Sequence, residues 1–271
     1  MMNIDWLTFI LKLILVPVFI GIVSLAGRHW GPTIGGWLIG LPLTSGPVAF
    51  FLALEQGDVF TAAASQAMMI GIISVSIFSF AYTQLASRTF WLPSVLTAYC
   101  AWVACTFLLD NVNVPPLISP LLVLVCIACT FLLIPSPSPS SAPRSPPNWE
   151  IPARMFFATL LVFLITAIAQ FLGPKLTGLL TPIPLYATVL AVFTHRFESA
   201  ENAIRLLRGV VAGSVTATIF LLIVSSTITQ WGVGFAFVSA IAASLVTHAV
   251  VFQLLRFSDS SRALRDESGF R

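Results

Sequence analysis

The sequence predicts an all-α integral membrane protein of nine transmembrane helices in a five-plus-four inverted repeat, with broken second and seventh helices. Composition is the first reason: 58% of the 271 residues are hydrophobic, 8% are charged and the mean hydropathy is +0.98, whereas soluble domains carry about 25% charged residues. The second is repetition at one constant offset. Gly31-Pro32 recurs as Gly173-Pro174, Gly36 as Gly178, Pro42-Leu43 as Pro184-Leu185, and Gly71 as Gly213. The third is punctuation, because short polar or Gly/Pro breaks divide apolar runs of the length needed to cross about 30 Å of hydrocarbon.

Taken in order, the expected spans lie at about 5–27, 33–54, 64–86, 91–109, 115–134, 151–172, 176–194, 207–228 and 233–256. The first lacks a basic leader and a small-residue cleavage site, so it reads as a retained helix. Residues 1–134 form the first repeat, and 149–257 the second. Between them, the Pro- and Ser-rich run at 135–148 cannot form helix and reads as an extended cytoplasmic linker. A tail covers 258–271. Five spans before the linker make the second half enter from the opposite side.

Basic residues accumulate on the cytoplasmic face. An N-terminus outside places Arg28, Arg88, Arg144, Arg154, Arg196, Arg205, Arg208, Arg256, Arg262, Arg265 and Arg271 inside, leaving Lys12 and Lys175 outside. The expected location is therefore the cell (inner) membrane, multi-pass, with a cytoplasmic C-terminus. Trp6, Trp30, Trp91, Trp149 and Trp231 fall near span ends, as interfacial anchors do.

The core of the repeat is Gly40-Leu-Pro-Leu-Thr-Ser-Gly-Pro47 in the second span and Pro182-Ile-Pro-Leu-Tyr-Ala-Thr188 in the seventh. Proline removes a helical hydrogen bond, and freed backbone groups in hydrocarbon need a partner from protein, water or ligand. Matching breaks in two inverted halves are the plan of many secondary transporters. The expected solute site is thus Pro42, Thr44, Ser45, Pro184, Tyr186 and Thr188, with His248 as a further intramembrane polar contact. The bland alternative is a pair of packing kinks.

Other chemistry is thinly supported. Cys126 and Cys129 read as small packing residues, no metal or cofactor is expected, and Thr44-Ser45-Gly46 lacks the Gly-x-Ser-Gly pattern of intramembrane serine proteases. The dispersed basic residues point away from nucleic acid and towards lipid. Arg205 and Arg208 lie one turn apart and suit an anionic substrate or headgroup.

Leu179-Leu-Thr-Pro-Ile-Pro-Leu-Tyr186 and Arg208-Gly-Val-Val-Ala-Gly-Ser-Val215 faintly resemble the LrgB-type membrane proteins. The chain is also similar to bacterial polytopic inner-membrane proteins in general. The LrgB resemblance implies a multi-spanning fold, and its plastid members imply transport of small organic acids. The expectation is a transporter of a small solute such as an organic anion, with no enzymatic activity. The alternative is a non-transporting assembly or regulatory subunit, and self-association is left open.

Overall fold

The computed structural model describes residues 6–42, 45–112, 114–135, 147, 149–169 and 182–268. Their regular structure is helical. Helix α1, Trp6–Trp30, contains Pro17, and the chain leaves it through Gly31 at φ 99. Pro32 then opens α2, Pro32–Ile39, at a position where its missing N–H removes no helical bond. Helix α3, Ser45–Gln56, leads through Gly57, φ 82, into α4, Asp58–Ala86. Beyond these come α5, Trp91–Asp110, α6, Ser119–Leu133, and α7, Glu150–Ala169. Helix α8, Leu185–Phe197, follows Pro184, and α9 is Ala200–Ser268.

Gly232 interrupts α9 with φ 75 and ψ 172. Thr216 Oγ1 lies 3.0 Å from His248 Nδ1, and the Phe220 and Phe237 rings are 5.9 Å apart. A straight helix would separate Thr216 from His248 by about 48 Å at its rise of 1.5 Å per residue. The two arms of α9 are therefore folded against one another, antiparallel, around Gly232.

Helix α4 is the centre of the bundle. Of its most apolar window 72% is buried, against 28% for α5; Met68, Phe78 and Tyr82 are fully enclosed. Several of its polar side chains turn inward and bond locally or to α5: Ser76 and Ser79 donate to Ile72 and Val75 carbonyls, and Thr106 donates to Ser74 at 3.0 Å. Helix α2 crosses the first arm of α9 almost backbone to backbone. A methyl on Gly36 would overlap the Leu206 carbonyl, and one on Gly209 the Thr33 carbonyl, so glycine sets the approach, as small residues do between membrane helices. Outward faces are apolar: Ile22 and Leu25 of α1, Leu96 and Phe107 of α5, and Val238 and Leu245 of α9 are more than half exposed. Such a surface suits contact with lipid.

The nine-span inverted repeat is corrected by this architecture. Among the described residues three helices are long and apolar enough to cross a membrane: Asp58–Ala86, Trp91–Asp110 and Ala200–Gln253. The expected second span, 33–54, is cut into helices of 8 and 12 residues, about 12 and 18 Å long. The expected fifth is a helix of 15 residues. The expected eighth and ninth correspond to the two arms of α9, which part at the non-helical Gly232. Uniformly high hydropathy lets a window of about 20 residues fit almost anywhere, so it counts apolar sequence and not helix length. Of the expected seventh span, residues 176–181 lie outside the described residues, and the rest leads into the 13-residue α8.

Candidate functional site

Helix α8 organises two sites, one on each side. Its start is set by Pro184, whose carbonyl accepts Thr188 N–H at 2.8 Å and Thr188 Oγ1–H at 2.6 Å. Tyr99 of α5 meets the same hydroxyl at 2.9 Å. From Thr188 onward, helical spacing divides the residues. Thr188, Val189, Val192, Phe193, Arg196 and Phe197 line a groove of about 400 Å³, closed by Trp91, Trp149 and Phe157. Leu190, Thr194 and Glu198 border a second, much smaller cavity.

The groove is walled by rings. Trp149 meets Phe197 at 5.2 Å, edge on, while Phe193 lies 6.0 Å from Phe157 and 5.7 Å from Phe197. Arg196 is exposed, and its Cζ lies 5.6 Å from the Phe197 ring centroid. The wall is thus apolar along its length, with a guanidinium at one end and the Thr188 hydroxyl on its surface.

The other side of α8 is ionic. Glu150 is fully buried and is held by Arg28 at 3.0 Å and by Arg154. Arg154 also reaches Glu198 at 3.5 Å and donates to Thr194 Oγ1 at 3.2 Å. Glu198 accepts from Asn202 Nδ2 at 3.0 Å, and Asn202 Oδ1 accepts from Arg205 at 2.9 Å. Burial pushes the Glu198 carboxyl above the usual range, opposed by the Arg154 charge and the Asn202 hydrogen bond. One contact links the two sides: Arg154 Cζ lies 5.8 Å from the centroid of Phe193, part of the groove wall.

The residues expected to form one solute site have the following partners in the structure. Pro184 and Thr188 are hydrogen-bonded together at the start of α8, and Tyr186 packs edge on against Phe19 at 5.5 Å. Pro42 accepts the Gly46 N–H at 2.8 Å just before α3, where Ser45 is buried. Thr44 lies outside the described residues. His248 stacks on Trp37 at 3.7 Å and 11°, bonded to Thr216. With three helices long and apolar enough to cross a membrane among the described residues, the complement needed for two inverted transporter bundles is not met. The expectation of a transporter working through a midplane site between inverted repeats is withdrawn.

The ionic cluster was missed as a site. Glu150 with Arg154 at i, i+4, and Glu198 with Asn202 at the same spacing, are visible signals. Nothing in the sequence shows that Arg28 closes on Glu150 from 122 residues away. The described residues hold no group of three or more His, Cys, Asp or Glu side chains placed for a metal.

Compared with protein-family models, curated proteins and solved structures, the chain matches none. The resemblance to LrgB-type proteins thus has no family support. What stands is an all-α protein with several long apolar helices, as membrane proteins have.

Proposed function

We propose that this is a lipid-binding membrane protein whose groove beside α8 takes an acyl chain of an anionic amphiphile. The observation that carries the reading is the groove itself: about 400 Å³ lined by Trp91, Trp149, Phe157, Val189, Val192, Phe193 and Phe197, with Arg196 at its end. That volume is within the range of small-molecule sites, which are mostly apolar with few oriented polar groups. Tryptophans at the starts of α5 and α7 mark a headgroup level, and a guanidinium there matches phosphate or carboxylate geometry. The chain of the amphiphile would follow the ring-lined wall towards Thr188.

The same end of the molecule carries Arg28, Arg154 and Arg205, together with Arg208, which donates to the Ile134 carbonyl at the end of α6. Basic residues gathered at one end support a cytoplasmic placement for it.

Brominated lipids, which quench tryptophan fluorescence on contact, test the reading with the full chain in nanodiscs. A brominated anionic phospholipid should quench more than a brominated zwitterionic one at equal mole fraction. Arg196→Gln should abolish the difference, and Trp91→Phe with Trp149→Phe should remove the signal that reports it. Equal quenching by the two lipids in the native chain would refute the proposal.

A further inference from the structure

On the far side of α8 from the groove, the ionic cluster encloses a cavity bordered by Ser24, Arg28, Arg154, Thr194 and Glu198, the remaining wall being aliphatic side chains, proline and glycine. Ser24 is 1% exposed and Arg154 4%. Ser24 Oγ and Arg154 Nε are both buried and meet no hydrogen-bond partner among the described residues. Arg154 spends its Nη2 on Glu150 and Thr194, and its Nε–H is a further donor left over. A buried donor without an acceptor is rare in folded proteins and points to a bound group.

We infer that this cavity is a binding site for a single water molecule, which accepts from Arg154 Nε–H and hydrogen-bonds Ser24 Oγ. Three observations select water. The space open to a solvent-sized sphere is about 10 Å³, close to the roughly 10–15 Å³ that one water needs and too small for an organic ligand. Charge is the second. Arg28 and Arg154 balance Glu150 and Glu198, so a halide or a cation would leave an uncompensated buried charge, whereas a neutral molecule leaves none. The third is the partner set, because a donor from Arg154, a hydroxyl from Ser24 and nearby Thr194 and Glu198 oxygens offer both roles that water fills. Ser24 belongs to α1 and Arg154 to α7. The water therefore joins α1 to the residue that backs Phe193, and does so whether or not the groove binds lipid.

A structure of the full chain in lipid at a resolution that shows ordered solvent tests this, with bromide as the sole halide. The expected result is one peak within hydrogen-bonding distance of both Ser24 Oγ and Arg154 Nε, without anomalous signal from bromine. No peak, or an anomalous one, would overturn the inference. Ser24→Val removes the hydroxyl and fills the cavity with a methyl, so its map should lack the peak. A peak unchanged in that variant would also overturn it.

Discussion

The two sides of α8 and its C-cap, Glu198, solve opposite problems. On one side Val189, Val192 and Phe193 face an open apolar groove of about 400 Å³; on the other Thr194 and Glu198 close over charges in a cavity of about 10 Å³. Changes to the groove alter what is bound at little cost to the fold, because its walls are partly exposed. Changes to the ionic side strand a buried charge, and there stability is at stake. Function and stability are thus separable on one helix, joined through Arg154 lying over Phe193.

The largest effect should come from Arg154→Ala, which leaves Glu150 with Arg28 alone and Glu198 without its arginine. Breaking a buried pair by removing one partner costs about 3–5 kcal/mol. The variant should give little folded protein by size-exclusion chromatography; a native-like yield would show that the charges are hydrated and the cluster is open. Thr194→Val removes one hydrogen bond from the Arg154 guanidinium at similar side-chain volume. A loss of about 1–3 kcal/mol is expected, read as a lower midpoint in thermal unfolding with lipid binding retained. If that variant lost lipid binding at unchanged stability, the separation of the two sides would fail.

Arg196→Gln should do the reverse. Its side chain is exposed, so stability should change by about 0.5 kcal/mol or less. Preference for anionic over zwitterionic lipid should disappear. Comparing unfolding midpoints with lipid selectivity for Thr194→Val and Arg196→Gln sharpens the contrast, since each variant should move one readout.

Much of the helical content was legible, because each helix has local causes. The expected fourth span, 91–109, differs by one residue from α5, Trp91–Asp110, whose start follows the Arg88-Thr-Phe break and whose end falls at Asp110. The Gly40-Leu-Pro run was read as an interruption, and α2 does end at Ile39. The number of spans was not legible. It depends on how far each helix continues, and the eight residues of α2 stop well short of a span, whereas the break at Gly232 does end a helical run. Of the expected site, Thr188 lies on the groove, through a partner, Tyr99, that sequence spacing does not reveal. The ionic cluster escaped because burial is a tertiary property. Nothing in the sequence around Glu150 marks it as buried, and it is Arg28 and Arg154 that enclose it.

The central claim is that the groove beside α8 binds an anionic amphiphile, and native mass spectrometry of the full chain released from detergent addresses it directly. The native chain should retain one anionic lipid of those supplied during purification. Val192→Trp, which places an indole in the groove, should release that lipid while keeping its unfolding midpoint, and Ser24→Ala on the far side should keep the lipid. A lipid retained equally by Val192→Trp, or a native chain that carries none, would contradict the account.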